Sequence, residues 1–169
     1  MNKYGFLMVD FDTPSLIKDI QNKIPEEELY YEDVDHTNYG LEKETHVTLV
    51  PCLDNEVTVS DLKPYLKKLS DYKVVLTDVS KFENEKFDVL KCSAKSFKLD
   101  ETNEEICKNF KTHSEYKVYK PHVTIAYMKK GMADKYLKND ISPLVILKPK
   151  NFNYSWWEGD ENKKQKFST

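Results

Sequence analysis

The sequence predicts an α+β fold built from two similar halves. One pattern occurs twice: residues 45–51 read THVTLVP and residues 121–127 read PHVTIAY, so His-Val-Thr is followed by apolar residues in both copies. Each copy is short and rich in β-branched residues, which is typical of a strand. Strand-like and helix-like segments alternate around each copy, and the halves meet near residue 74. This pattern predicts two lobes around a cleft, with the two motif strands facing each other across it.

The first half begins with a strand and a helix. Residues 4–11 are an almost continuous apolar run, which predicts a buried central strand. Thr13 suits a helix N-cap and Pro14 suits the first helical position, so a helix is expected to start there. Residues 26–44 are acidic and rich in tyrosine, and they predict a solvated loop or short hairpin. Because this segment leads into the first motif strand, residues 45–52, a lid over that strand is the alternative.

A helix capped by Ser60 is expected to follow the first motif strand. Beyond it, the hydrophobic periodicity predicts five strands and two helices. The strands are residues 74–79, 87–93, 122–128, 144–147 and 152–157, and the helices are residues 100–111 and 133–137. Residues 1–157 are therefore expected to form one domain, and the charged residues 158–169 are expected to be a frayed tail.

Composition and charge narrow the class of ligand. The net charge is −3, so the chain lacks the strongly basic character of a protein that binds long nucleic acid. All 26 basic residues are lysine. A phosphate would therefore be held by ammonium groups, hydroxyls and backbone N–H groups rather than by bidentate guanidinium groups. The bias towards lysine indicates an AT-rich genome, such as that of a phage or a low-GC bacterium.

Cysteines and apolar segments predict a protein of the cytoplasm. Cys52, Cys92 and Cys107 are odd in number and lack metal-ligand spacing, which favours a reducing compartment. The apolar run of residues 5–9 is too short for a secretion signal, and no run approaches the roughly 18–20 apolar residues of a membrane span. We therefore expect no membrane association, and no obligate protein partner is indicated.

The repeated tripeptide carries the chemistry. In a strand, alternate residues point to the same face, so each copy presents an imidazole beside a hydroxyl, while Val47 and Val123 point towards a core. Two imidazoles can act together as a neutral base and a protonated acid near neutral pH. Hydroxyl donors beside them can stabilise the charge that develops on a phosphate. This set suits phosphoryl transfer from a diester without a metal or other cofactor.

Two H-x-T motifs at this separation, in a chain of this length, resemble those of the two-histidine (2H) phosphoesterase superfamily. That superfamily includes RNA 2′,5′-ligase-like proteins and cyclic phosphodiesterases, and the resemblance spans about residues 4–157. It implies an α+β, bilobal fold in which two pseudo-symmetric lobes of antiparallel sheet, with outer helices, surround a central cleft. It also implies that His46 and His122 are the acid–base pair and that Thr48 and Thr124 hold the phosphate.

Within the superfamily, the chain is most similar to the anti-CBASS nucleases of T4-like phages. CBASS is a bacterial antiviral system that signals through cyclic oligonucleotides. The similarity implies cleavage of 3′,5′-linked cyclic di- and trinucleotides in the cytoplasm of an infected bacterium. Residues expected to contact such a substrate are aromatic or charged positions near the cleft: Tyr4, Phe11, Lys120, Trp156, Trp157 and Glu158. For Trp156 and Trp157, core packing is as good an interpretation as base stacking.

Three functions remain open at this point. The first is a phosphodiesterase for cyclic oligonucleotides. The second is an enzyme of RNA ends that acts on 2′,3′-cyclic phosphates or 2′,5′ linkages. The third is a sponge that binds a cyclic nucleotide without turnover, although both H-x-T motifs are intact.

Overall fold

One eight-stranded sheet, in which neighbouring strands are antiparallel, carries the two motif strands at its centre. The computed structural model describes residues 3–69 and 71–169. The strands are β1 (Gly5–Phe11), β2 (His46–Leu53), β3 (Val74–Glu83), β4 (Phe87–Lys95), β5 (His122–Lys129), β6 (Val145–Leu147), β7 (Pro149–Glu158) and β8 (Glu161–Phe167). They lie in the order β6-β3-β4-β5-β2-β1-β7-β8. The helices are α1 (Ser15–Lys23), α2 (Val59–Leu66) and α3 (Phe97–Asn109), and short 3-10 turns occur at Glu26–Glu28 and Asp134–Tyr136.

The antiparallel α+β architecture predicted from the sequence is confirmed, but the motif strands do not face each other across a cleft. They are hydrogen-bonded neighbours, β2 and β5, in the middle of the sheet. Strands β3 to β6 form one half of the sheet, while β1 and β2 are joined in the other half by β7 and β8. The end of the chain therefore returns to the half in which it began, because β7 pairs with β1.

Helices α1 and α3 each pack on the motif strand of the other half of the sheet. Helix α1 packs against β5 and α3 packs against β2. The Gln21 amide donates to the Ile125 carbonyl at 3.0 Å, and the Asn103 amide donates to the Leu49 carbonyl at 2.7 Å. Leu49 and Ile125 each lie three residues after the histidine of their motif, so the two contacts are equivalent. They satisfy backbone acceptors where β2 and β5 separate from each other.

Both helix N-caps predicted in the first half are wrong. Helix α1 has Pro14 at its N-cap without a side-chain hydrogen bond. The hydroxyl of Thr13 instead accepts a hydrogen bond from the Thr45 hydroxyl at 2.8 Å. Helix α2 is capped by Thr58, whose hydroxyl accepts from the Asp61 N–H, and the Asp61 carboxylate accepts from the Thr58 N–H. This reciprocal capping box satisfies two N–H groups at once, which Ser60 inside the helix cannot do.

Residues 158–169 are not a frayed tail. Residues Glu161–Phe167 form β8, which pairs with β7 from Phe152 to Glu158 and buries Phe167 against Phe152. The prediction failed because β8 contains mostly charged residues and lacks an apolar alternation. Its place in the sheet comes from backbone pairing with β7, which a local pattern does not report.

Candidate active site

The four side chains of the repeated motifs lie together on one face of the sheet. Val47 and Val123 are directly opposite each other on β2 and β5, and both are completely buried. The neighbouring positions on either side therefore pair His46 with Thr124, and Thr48 with His122, on the other face. His46 and His122 are diagonal neighbours across the two strands, and the backbones of such residues are typically about 7–8 Å apart. The result is a four-cornered site with imidazoles at one diagonal and hydroxyls at the other.

Backbone carbonyls fix both imidazoles in the same way. Nδ1 of His46 lies 3.0 Å from the Glu44 carbonyl, and Nδ1 of His122 lies 2.8 Å from the Lys120 carbonyl. A carbonyl can only accept, so Nδ1 carries a proton in each ring and the Nε2 atom remains for the surface of the sheet. In the neutral form, Nε2 is then a proton acceptor; in the charged form, it is a donor.

His122 sits in the less hydrated part of the site. The edge of its ring contacts Phe82 on β3, with ring centroids 4.9 Å apart. Burial lowers its pKa, and the nearby Lys91 and His46 lower it further, while the hydrogen bond to the Lys120 carbonyl raises it by less. His122 is therefore held in its neutral form near pH 7.

Lys91 is a member of the site that the sequence reasoning did not single out. It lies opposite Thr124 in the β4–β5 pairing and is only 8% exposed. Its ammonium donates to the Ser93 hydroxyl at 3.0 Å and lies 4.5 Å from the centre of the Phe82 ring. Ser93 is itself opposite His122. A lysine in the middle of the apolar strand 87–93 was the signal, because strand alternation places Lys91 and Ser93 on one face.

Carboxylates border the site on the His46 side. Asp10 lies opposite His46 in the β1–β2 pairing and is 5% exposed. Its carboxylate accepts from the Asn151 amide at 2.7 Å and lies 3.9 Å from the Lys166 ammonium. Glu44, two residues before His46, accepts from Lys166 at 3.0 Å. Hydrogen bonding to Lys166 lowers the pKa of Glu44 against the opposing effect of burial, so its charge is kept near His46.

The structure separates most of the predicted substrate contacts from this site. Phe11 is 2% exposed and packs in the core, with its edge against Tyr72, so it has no surface for a base. Tyr4 stacks on His113. In the pairing, Tyr4 precedes Gly5, which lies opposite Leu53, whereas the site lies at the other end of β1. Asp10, at that end of β1, is six residues from Tyr4, or about 20 Å at 3.3–3.4 Å per residue.

The predicted contacts on β7 are also remote. Trp156 stacks on the buried Tyr154, and the Trp157 ring is covered by the Lys3 ammonium at 4.1 Å. Glu158 lies at the turn between β7 and β8, opposite Glu161. Asn151 and Asn153 are the β7 residues that share rows with His46 and Thr48. Of the predicted contacts, only Lys120 adjoins the motifs: its carbonyl orients His122, and its side chain is exposed.

Residues 26–44 are attached to the second half of β5. The Tyr30 N–H donates to the Tyr127 carbonyl at 2.9 Å, the Tyr127 N–H donates to the Gly40 carbonyl at 2.8 Å, and the Glu42 N–H donates to the Ile125 carbonyl at 3.0 Å. The segment therefore pairs with β5 where β2 has separated from it, so it is not a purely solvated loop.

An open concavity of about 510 Å³ lies along this attached segment. Its lining residues are Glu32, Thr37, Asn38, Tyr39, Leu41, Glu42, Lys43 and Tyr127. Tyr39 and Tyr127 contact each other edge to face at 4.8 Å between ring centroids. Tyr127 is three residues from Thr124, or about 10 Å along β5. The concavity thus borders the four-cornered site but does not contain it.

Over residues 3–69 and 71–169, no three His, Cys, Asp or Glu side chains are grouped so that they could hold a metal ion. In the same residues, no helix combines the length and apolar content that crossing a membrane requires.

An antiparallel α+β sheet with two H-x-T strands paired at its centre defines a two-histidine phosphoesterase. The chain belongs to the 2′-5′ RNA ligase superfamily, whose family model matches residues 17–145. Its fold is similar to that of Usb1 from Kluyveromyces marxianus, solved with uridine monophosphate: the TM-score is 0.59 at 11% identity, over 98% of this chain and 99% of that one. No curated protein matches the sequence.

Proposed function

We propose that this protein is a phosphodiesterase that cleaves 3′,5′-linked cyclic di- and trinucleotides by acid–base catalysis with His46 and His122. The observation that carries the proposal is the four-cornered site around the Val47–Val123 pair. Both imidazoles are held through Nδ1 by backbone carbonyls, so both Nε2 atoms are available to a phosphate placed between them. Thr48 and Thr124 supply hydroxyl donors at the remaining corners.

The reaction uses the ribose 2′-hydroxyl beside the scissile phosphate. One histidine removes its proton, and the 2′-oxygen attacks phosphorus as the bond to the 5′-oxygen breaks. The other histidine donates a proton to the departing 5′-oxygen, so a linear product with a 2′,3′-cyclic phosphate is formed. The attacking group is already tethered next to phosphorus, which removes much of the entropic barrier. Water can then open the cyclic phosphate, with the roles of the histidines reversed.

Three properties support a small nucleotide as the substrate. The chain carries a net charge of −3 and so lacks a strongly basic surface for a long nucleic acid. The concavity beside the site is of the size that small ligands occupy, and its tyrosines offer faces on which a base can stack. A cyclic ligand also loses less conformational entropy on binding than a linear one.

The biological role that we propose is removal of the cyclic oligonucleotide signals of CBASS in an infected bacterium. The support is the resemblance described under the sequence analysis, together with the lysine-only basic composition of the chain. Such an enzyme would act in the bacterial cytoplasm and would need no cofactor.

A second candidate is an enzyme that acts on RNA ends, because the family to which the chain belongs is named for 2′-5′ RNA ligases. The same four-cornered site can open a 2′,3′-cyclic phosphate or act on a 2′,5′ linkage. A panel of substrates separates the two: cyclic dinucleotides and cyclic trinucleotides with 3′,5′ linkages, and a short RNA that ends in a 2′,3′-cyclic phosphate. We expect the fastest turnover on a cyclic di- or trinucleotide. Turnover of the RNA alone would favour the second candidate, and binding of a cyclic nucleotide without any turnover would contradict both.

A further inference from the structure

The two halves of the site differ in the side chains that they place beside the motifs. A pseudo-twofold axis through the Val47–Val123 pair relates β2 to β5 and β1 to β4. In the pairing, Met8 lies opposite Thr48 and Lys91 lies opposite Thr124, so Met8 and Lys91 occupy equivalent positions. A thioether therefore stands in one half where an ammonium stands in the other.

Lys91 is held as a buried cation whose charge is not neutralised by direct ion pairing. Among residues 3–69 and 71–169, its ammonium has no carboxylate at ion-pairing distance, and its hydrogen bond goes to the Ser93 hydroxyl at 3.0 Å. Asp78 is the carboxylate whose charge raises the pKa of Lys91, and its Oδ1 atom already accepts from the Ser80 hydroxyl at 2.8 Å and from the Ser93 N–H at 3.2 Å. Burying an ammonium without a close partner is costly unless a ligand supplies the counter-charge.

The equivalent surroundings of His46 hold two carboxylates, and the Lys166 ammonium lies 3.9 Å from that of Asp10 and 3.0 Å from that of Glu44. Asp10 is opposite His46, and Glu44 lies two residues before it. The Ser93 hydroxyl, opposite His122, occupies the position equivalent to the Asp10 carboxylate. A nearby ammonium, such as that of Lys91 beside His122, favours the neutral form of an imidazole.

We propose that Lys91 is a catalytic residue that binds a non-bridging oxygen of the scissile phosphate, and that its charge beside His122 makes His122 the general base and leaves His46 as the general acid. This inference rests on the function proposed above. Nε2 of His122 takes the proton of the 2′-hydroxyl, and Nε2 of His46 gives its proton to the 5′-oxygen. The ammonium of Lys91, beside Thr124, offsets the charge on the phosphate oxygens between them.

The charged groups that act on His122 agree with this direction. Lys91 on β4 and His46 on β2 both lower its pKa, in addition to burial, and Lys120 adds positive charge near Lys91. Asp78 on β3 raises the pKa of Lys91, but burial lowers that pKa by more. His122 is therefore neutral over a range that extends below the ordinary histidine pKa of 6.5.

The test is the Lys91→Met variant, with Lys95→Met as the control. Lys95 is exposed at the end of β4, so its loss changes the net charge equally without touching the site. We expect Lys91→Met to lower kcat/KM by about 100-fold or more on the substrate that the wild-type protein cleaves best, as for loss of one transition-state donor. The acidic limb of its pH profile should also move to higher pH, because His122 loses a neighbouring cation. Lys91→Arg should keep the acidic limb in place.

A second readout does not depend on turnover. In NMR titrations of the imidazole Cε1 protons, the His122 resonance of Lys91→Met should titrate at higher pH than in the wild-type protein and in Lys95→Met. If the wild-type protein cleaves the substrate and kcat/KM of Lys91→Met is within twofold of that of Lys95→Met, the role of Lys91 is overturned. The proposed function would then still stand. An unmoved His122 titration would overturn the electrostatic assignment of the base. Absence of wild-type cleavage on every diester would instead reject the proposed function itself.

Discussion

Val47 and Val123 lie directly opposite each other on neighbouring antiparallel strands, and both side chains are buried beneath the sheet. This single pair determines the geometry of the site, because the residues on either side of it must point to the opposite face. Two histidines and two threonines are thereby brought together from segments 76 residues apart. The pair also marks the axis that relates the two halves, so departures from symmetry identify what each half contributes.

Removal of either imidazole should abolish turnover while binding survives. We expect His46→Ala and His122→Ala each to reduce kcat by at least about 1,000-fold, within the range for general acid–base groups. The double variant should be little worse than either single one, because the acid and the base act as a unit. Initial rates give the turnover and calorimetry gives the binding of a cyclic dinucleotide. Retention of more than half the activity in either single variant would contradict the assignment.

Loss of one threonine hydroxyl should be milder. We expect Thr48→Val and Thr124→Val to lower kcat by about 10- to 1,000-fold, because each removes one donor to the phosphate. Thr48→Ser and Thr124→Ser keep the hydroxyl and are the matched controls, with rates close to wild type. Steady-state kinetics on the best substrate checks this. Equal losses in the serine and valine variants would indicate that the methyl group, and not the hydroxyl, is important.

The 2′-hydroxyl of the substrate should be indispensable. A cyclic dinucleotide with hydrogen in place of the attacking 2′-hydroxyl is expected to bind but to resist cleavage, since the nucleophile is missing. Mass spectrometry of a 3′,3′-cyclic GMP–AMP digest should show a linear product with a 2′,3′-cyclic phosphate, followed by a terminal phosphate. Rapid cleavage of the deoxy analogue, or a product with a 5′-phosphate and a free 3′-hydroxyl, would show that the mechanism is wrong.

Turnover should persist in a chelator. The proton transfers are assigned to His46 and His122, and the charge on the phosphate is assigned to Lys91 and the threonines, so the mechanism requires no divalent cation. Rates measured in EDTA and in added Mg²⁺ or Mn²⁺ should agree within about twofold, because general acid–base catalysis by the two histidines does not involve a metal ion. Inactivation by EDTA that is reversed by a divalent metal would contradict this prediction.

A buried carboxylate away from the site should contribute to stability in a pH-dependent way. Asp88 is fully buried and accepts from the Gly131 N–H at 2.9 Å and from the Lys130 ammonium at 3.0 Å, with Lys81 3.5 Å away. Burial raises its pKa, but these hydrogen bonds and charges outweigh that effect and lower the pKa in the folded state. The stabilisation is therefore present above the unfolded pKa near 3.8 and is lost as the pH falls through the folded value.

Asp88→Asn should accordingly reduce the free energy of unfolding by about 1–3 kcal/mol at pH 7, the range for a charged hydrogen-bonded group. Denaturant melts at pH 7 and pH 3 measure the effect, with the exposed Asp140→Asn as control. The difference from wild type should shrink at pH 3, and a difference that grew there would contradict the assigned direction of the pKa shift.

The chemistry of the motifs and the face of the sheet on which they lie follow from the local sequence pattern. Alternation along a strand is local, so the burial of Val47 and Val123 and the common direction of His46 and Thr48 followed from the pattern alone. The α+β class followed in the same way, because each element leaves its own periodicity. The same local rules failed where caps compete: Thr58 and Ser60 are both good cap residues, and only the reciprocal bonds with Asp61 select Thr58.

Which residues surround the motifs depends on how the strands pair in the folded chain. Strand order depends on pairing between distant segments, and nothing in a strand's own sequence states its neighbours. That is why Lys91, a lysine within an apolar strand, reaches the site through the pairing of β4 with β5, while the predicted contacts at Phe11 and Trp156 lie in the core or at the far end of the sheet. It is also why β8, with little apolar content, is a strand: its stability comes from the backbone edge of β7 and the burial of Phe167.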